Sequence, residues 1–151
     1  MVEIIEASGQ NLESVYSFLK SVDLPLEGVA DNFHNFFIAW ERNQIQGCAG
    51  VEIYEDVGLI RSVAVHPSFQ GRGLGRKLVE TILKFSFEKG LNKIYLLTET
   101  AEEFFLKLRF VVIHRDEADD RVKQSIEFTS VCPDSATCMV KFLEDDNYVN
   151  H

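Results

Sequence analysis

No stretch of this sequence stays apolar for the roughly 20 residues that a membrane-spanning helix needs, which excludes a helical membrane protein. The start, Met1-Val2-Glu3, has no basic cluster followed by a long apolar run, so no secretory signal is expected. Cysteine is scarce and odd in number: Cys48, Cys132 and Cys138 are three, which argues against a disulfide framework and for reduced thiols in the cytoplasm. His34, His66, His114 and His151 are scattered, no pair has metal-ligand spacing, and no metal is expected. Positive charge is also short. Fifteen Lys and Arg face 24 Asp and Glu, a net charge of −9 that argues against nucleic acid and against anionic membranes as partners.

What is present is enough for one globular domain. The chain has 151 residues, 46% of them hydrophobic, so it can bury a sizeable core. A single domain is expected over residues 1–143, with a polar C-terminal tail over 144–151. The positive charge that does exist is concentrated. Between Gln70 and Lys93 there are six basic residues (Arg72, Arg76, Lys77, Lys84, Lys89, Lys93) and two acidic ones (Glu80, Glu88). A basic island on an acidic chain suits a small polyanion. Solvated helix charges explain Lys84 and Lys89 equally well.

The chain is organised around the stretch from Leu59 to Lys89. Leu59 to Val65 reads as a strand bounded by Gly58 and His66-Pro67. Leu74, Leu78, Ile82 and Phe85, flanked by Val79 and Leu83, come next at helical spacing. Gln70-Gly71-Arg72-Gly73-Leu74-Gly75 must turn the chain from strand into helix, and the helix start it creates suits phosphate or pyrophosphate. The dinucleotide-binding fingerprint fits poorly, since Gly71 and Gly73 occupy its first two glycine positions but Arg76 the last. The nucleotide-triphosphate P-loop is absent, since there is no Gly-Lys-Ser/Thr after a second glycine. Gln/Arg-x-x-Gly-x-Gly/Ala after a Val-x-Val-x-Pro strand end is present, with Gln70, Gly73 and Gly75 in register. That pattern resembles motif A of the Gcn5-related N-acetyltransferases, which hold the pyrophosphate of acetyl-coenzyme A. An ordinary glycine-rich turn is the bland alternative.

Along the chain, strands are expected at Val2–Ala7, Phe36–Arg42, Gln46–Tyr54, Leu59–Val65, Lys93–Leu97, Phe110–His114 and Thr137–Leu143. Helices are expected at Ser8–Lys20, up to about Asn35, from Leu74 to Lys89, at Ala101–Leu108 and over Glu117–Phe128. Asn43-Gln44 and Glu55-Asp56 read as turns. The order predicts an α/β (α+β) fold: a mixed, mostly antiparallel sheet of six to seven strands flanked by helices. It is also the order of the acetyltransferase fold, so the resemblance covers nearly the whole chain.

Later segments narrow it. Tyr95 to Phe105, with Arg109-Phe110, resembles the acetyltransferase domain of N-acetylglutamate synthases and the small acetyltransferases associated with arsenic resistance. Gly47-Cys48-Ala49-Gly50, Leu59 to Val63 and Val131 to Ala136 look closest to the second group. The resemblance implies acetyl-coenzyme A as co-substrate and the amine of a small amino acid or its analogue as acceptor. It implies cofactor contacts from Gln70, Gly71, Arg72, Gly73, Leu74, Gly75 and Arg76. It also implies that main-chain groups of Val63 and Val65 serve the acetyl and pantetheine parts if the strand bulges. Two departures stand out. The phenol of a Tyr-x-x-x-Gly-Phe pattern is Phe105 here, with Arg109 in place of the glycine, and the early-strand glutamate is Leu59.

The substrate candidates are Arg61, Thr98 and Thr100. Arg61 shares alternation with Leu59, Val63 and Val65, and an arginine in an apolar strand needs a partner. It clamps the acceptor's carboxylate, or it forms a buried salt bridge to Glu52; both readings stay open. Glu52 and Glu99 are the carboxylates best placed to act as base, each with a structural alternative. Thr98 and Thr100 bind substrate or cap a helix. Cys132, Cys138 and Cys48 either meet a thiophilic arsenical or simply pack. A non-catalytic acyl-coenzyme-A sensor and a peptide acetyltransferase are the competing functions, and a homodimer is one open assembly state.

Overall fold

The computed structural model describes residues 2–144; the expected tail lies, from Asp145 onward, outside the described residues. The strands are β1 (Glu3–Glu6), β2 (Phe36–Glu41), β3 (Gln44–Tyr54), β4 (Val57–Val65), β5 (Lys93–Thr98), β6 (Val111–Ile113) and β7 (Thr137–Phe142). The helices are α1 (Leu12–Ser21), α2 (Leu74–Glu88) and α3 (Glu102–Lys107). The strands form one seven-stranded sheet in the order β1-β2-β3-β4-β5-β7-β6. β4 and β5 run parallel, whereas β1–β2, β2–β3, β5–β7 and β6–β7 are antiparallel. This is the mixed, mostly antiparallel sheet expected. The described residues fold as two compact units: one runs up to Val51 and includes Arg61–Ile82, the other comprises Glu52–Ile60 and the described chain from Leu83 on.

In the first unit, α1 turns Val15, Phe18 and Leu19 inward, the i, i+3, i+4 stripe of an amphipathic helix. They share a core with Val29, Phe33, Phe36, Ile38 and Cys48. Each large apolar side chain so removed from water contributes about 1.5–3 kcal/mol. The β2–β3 hairpin turns one residue earlier than expected, at Arg42 and Asn43, whose φ values are 54° and 61°. Glu41 pairs with Gln44, so the two residues between them take the left-handed conformation of a tight hairpin without a glycine. Gly47 sits on β3 where a Cβ would lie 2.8 Å from the Ala64 carbonyl oxygen and 2.9 Å from Leu78 Cδ1. Its bare backbone therefore lets α2 approach the sheet closely.

In the second unit, Val57, Leu59, Tyr95, Cys138 and Val140 form a core that is covered by Ala118 and Val122 from the β6–β7 connection. That connection departs from expectation. In place of a helix over Glu117–Phe128 there are 3-10 turns at Arg115–Glu117 and Val122–Gln124 and a π turn at Glu127–Val131. Side chains compete successfully with the helical ladder here. The Arg115 guanidinium donates to the carbonyls of Pro133 at 2.8 Å, Phe128 at 3.0 Å and Cys132 at 3.4 Å. Arg121 grips both carboxylate oxygens of Asp119, at 3.0 and 2.9 Å, and reaches Asp56 beside the β3–β4 turn at 2.9 Å.

Arg121 holds the Asp119 carboxyl down from 3.8 to about 2, chiefly through these side-chain hydrogen bonds. A depressed carboxyl stabilises the fold above its unfolded value and loses that contribution as pH falls through its folded value. Asp119→Asn should therefore lower the urea midpoint at pH 6, and the gap to the parent protein should close as pH drops from about 4 toward 2. A gap that stays constant down to pH 3 would count against this pairing.

Candidate active site

The polar pair Arg61-Ser62 interrupts an otherwise apolar β4, and the backbone breaks there too. Ser62 has a φ of 57°, a left-handed conformation inside the strand. Such a residue inserts a bulge, which leaves main-chain groups out of the ladder and re-aims the strand beyond it. The alternation linking Arg61 to Val63 and Val65 applies only to an unbroken strand, so that part of the expectation is corrected. Three side-chain bonds surround the break. Cys48 Sγ donates to the Ser62 carbonyl at 3.2 Å. Arg61 Nε donates to Ser62 Oγ at 3.1 Å, and Arg61 Nη2 donates to the Glu27 carbonyl at 2.6 Å. Arg61 is only 3% exposed, while Val63 and Val65 are half-buried.

Past the bulge the chain leaves the sheet at His66-Pro67. His66 caps the next 3-10 turn, its Nδ1 accepting from the Ser68 N–H at 3.1 Å, which makes it a turn residue. The Gln70 amide donates to the Val65 carbonyl at 3.2 Å and so fastens the glycine turn to the end of β4. Gly71 and Gly73 have φ values of 81° and 80°, and a Cβ at either would meet no atom within 4 Å. These positions require glycine for conformation, since the protein places nothing against them. Gln70 through Gly73 are exposed, and Leu74 is buried, so Leu74 offers a ligand its backbone alone.

The helix ladder of α2 begins with Lys77 N–H donating to the Gly73 carbonyl at 3.1 Å, so the first-turn N–H groups precede it. Their partial positive charge adds to that of nearby cations. Arg72 stacks its guanidinium 5.2 Å from the centre of the Phe69 ring, which orients the charge. Arg76 pairs with Glu80 at 3.3 Å on the exposed helix face. An open glycine cradle, a helix N-terminus and flanking cations fit a diphosphate.

The match to known proteins agrees. Residues 4–110 match the family described as the acetyltransferase (GNAT) family. The chain belongs to the GNAT acetyltransferases. It is thus an acetyl-coenzyme-A-dependent N-acetyltransferase, and acetyl-coenzyme A is its co-substrate. An uncharacterized N-acetyltransferase of Chlorobaculum tepidum is 28% identical over 78% of this chain and 77% of its own length. An amino-acid acetyltransferase of Mycobacterium tuberculosis is 35% identical over 46% of this chain and 40% of its own. Among solved structures, the N-acetylglutamate synthase of Neisseria gonorrhoeae, complexed with coenzyme A and N-acetyl-glutamate, shares the fold with a TM-score of 0.82 at 19% identity. That alignment covers 95% of this chain and 35% of the synthase, so the chain spans about a third of that protein.

The remaining site residues expected for this GNAT chain lie in the second unit. Glu52, 2% exposed, accepts a hydrogen bond from the Tyr54 phenol at 2.5 Å. Glu99 and Thr100 are exposed at the bend after β5. Thr98 Oγ1 accepts from the Ala101 N–H at 3.0 Å, a capping bond ahead of α3. Phe105 stands where the family pattern has tyrosine. It is 5% exposed and packs edge-on against Phe104 and Phe110 with ring centres 5.0 and 5.4 Å away. Arg109, in the glycine's place, has a φ of 71°, the left-handed conformation that the glycine would adopt freely. Among the described residues no three His, Cys, Asp or Glu side chains gather to hold a metal, and no helix is long and apolar enough to cross a membrane.

Sequence reasoning passed over Ser62 and Tyr54, and it considered the Cys48 thiol as an arsenical ligand or a packing group, not as a donor to the Ser62 carbonyl. The signal for the first was the polar pair itself inside an apolar strand.

The glycine turn can be tested by size and charge separately. Gly73→Ala meets no atom but must adopt a left-handed φ, at about 1 kcal/mol, and should weaken acetyl-coenzyme A by about fivefold. Gly73→Glu adds bulk and negative charge and should abolish binding in a calorimetric titration. Unchanged affinity in Gly73→Glu would remove the turn from the cofactor site.

Proposed function

We propose that this acetyltransferase transfers the acetyl group of acetyl-coenzyme A to the amine of a small amino acid or amino-acid analogue, by direct attack in a ternary complex. The observation that carries the acceptor class is the identity to an amino-acid acetyltransferase over a segment of this chain. The main-chain break at Ser62, with the glycine cradle after it, supports the transfer chemistry. A neutral amine attacks the thioester carbonyl carbon and forms the C–N bond. The carbonyl electrons collect as an oxyanion, which backbone N–H groups stabilise. The C–S bond then breaks, coenzyme A leaves as thiolate, and the nitrogen's proton passes to a base. With Phe105 in place of a phenol, the thiolate departs without an acid at that position, which its modest basicity permits.

Glu52 is the preferred base. It is buried and accepts a hydrogen bond from the Tyr54 phenol, which fixes the carboxylate's orientation, and a positioned carboxylate is a common general base. Glu52→Gln should lower kcat by about 10²-fold while acetyl-coenzyme A binding holds. A larger loss in Glu99→Gln than in Glu52→Gln would move the base to Glu99.

The acceptor is identified by incubating the full chain with acetyl-coenzyme A and a panel, and detecting products by mass spectrometry. The panel holds free amino acids, phosphinothricin-like and arsenical analogues, and basic peptides. One acetylated small amino acid or analogue is the expected result. Acetylation of peptides alone would replace the small acceptor, and an empty panel with cofactor binding intact would favour a sensor.

A further inference from the structure

The proposed transfer depends on main-chain groups of β4 being held where the acetyl-thioester needs them, and the residue that aims them is Ser62. Its left-handed φ of 57° costs about 1–2 kcal/mol for a residue with a side chain, so something else must hold it. The three bonds at the break are of a kind to do this. The Cys48 thiol reaches the Ser62 carbonyl from β3, fixing the orientation of the peptide plane between Ser62 and Val63. Arg61 Nε fixes the Ser62 side chain. Arg61 Nη2 then extends to the carbonyl of Glu27, 34 residues away in the loop between α1 and β2.

That loop is itself anchored. Val29 is fully buried, its N–H donates to the Leu26 carbonyl at 3.1 Å, and Asn32 donates to the Gly28 carbonyl at 2.8 Å. Burial pushes the Cys48 thiol up to about 12, so it stays protonated and able to donate across the working pH range.

We propose that Cys48 and Arg61 are positioning residues of this acetyltransferase: together they fix the left-handed Ser62, and through it the main-chain groups of Val63 and Val65 that meet the acetyl-pantetheine end of the co-substrate. Arg61 also locks the bulge to the loop that carries Glu27, so one buried guanidinium sets both segments. This deepens the transfer reading above and rests on it for the identity of the co-substrate. It also gives Arg61 a role different from that of a carboxylate clamp.

The test uses two ligands that divide the co-substrate. Acetyl-coenzyme A carries the acetyl-pantetheine arm, whereas adenosine 3′-phosphate 5′-diphosphate carries only the phosphates that the Gln70–Arg76 turn would hold. Cys48→Val keeps the volume and removes the donor; Cys48→Ser keeps a donor. Cys48→Val should weaken acetyl-coenzyme A by about fivefold, the loss expected for one buried hydrogen bond, and leave the nucleotide's affinity at the parent value. Cys48→Ser should recover most of that loss. Arg61→Ala should weaken acetyl-coenzyme A by about tenfold or more, again sparing the nucleotide, since a charged donor is lost.

Parent affinity for acetyl-coenzyme A in Cys48→Val would overturn the role of the thiol. Equal weakening of both ligands would reduce both residues to general structural support. An Arg61→Ala variant with unchanged acetyl-coenzyme A affinity and a raised acceptor KM would make Arg61 the acceptor's clamp instead. Failure of the acceptor reading is separable, because a parent protein that acetylates nothing can still be titrated with both ligands.

Discussion

A single strained residue, Ser62, stands between two requirements that β4 must meet. A strand in the middle of a sheet has its N–H and C=O groups taken up by its neighbours. A strand with the role proposed for β4 would have to offer some of those groups to a ligand. A left-handed residue inside the strand resolves the conflict locally, at a cost of about 1–2 kcal/mol, which bonds from Cys48 and Arg61 offset at about 1 kcal/mol or more apiece. Neither donor is exposed to water. Their bonds are made in a low-dielectric interior, where the penalty for leaving them unmade is also largest. The bulge is thus held by the core of the first unit, and Cys48 belongs to that core as well as to the bulge.

Downstream the demands reverse. Gly71 and Gly73 adopt left-handed φ values with nothing of the protein packed near them, so their conformation serves the backbone's path and its openness. Leu74 closes the turn by burying its side chain, and Gln70 ties it to Val65. The result is a turn tethered at Gln70 whose glycines present bare main chain. Arg72, braced on Phe69, adds a directed charge on a chain whose overall charge is −9. In the proposed role of this turn, local positive charge would work against a net repulsion, which would favour a compact anion over an extended one.

Sequence pattern made the architecture legible wherever local signals and tertiary packing coincide. The apolar spacing of α1 and α2, the β-branched strands and the glycine turn all express backbone preferences that the packed chain keeps. It failed where side-chain bonds to distant or unmarked partners, or a left-handed turn without glycine, override the local pattern. The β6–β7 connection has apolar residues at near-helical spacing, yet Arg115 and Arg121 hold it in short turns. Arg61 has a partner 34 residues distant, and that partner is a carbonyl, which any residue could supply and no sequence marks. The hairpin at Arg42 and Asn43 adopts left-handed values without the glycine that announces them. At the site, the conformation of the glycine turn was readable because glycine and helix start each carry their backbone preference in their identity. The base and the acceptor contacts were not, because Glu52, Thr98 and Arg61 also have structural uses, and Thr98 has one here.

The departures at α3 obey a related logic. Phe105 removes a phenol and fills the space with an aromatic cluster, and Arg109 takes a left-handed φ that glycine would adopt without strain. The helix end is kept because the bonds that define it, Arg109 N–H to the Leu106 carbonyl and Phe110 N–H to the Phe105 carbonyl at 3.0 and 3.1 Å, do not depend on the side chain. What is lost is a proton donor at that position. A transferase without that acid must draw more of its rate from stabilising the oxyanion and from placing the amine. In the proposed transfer both would depend on main-chain geometry, and the burden would shift toward the buried side chains that hold the backbone in place.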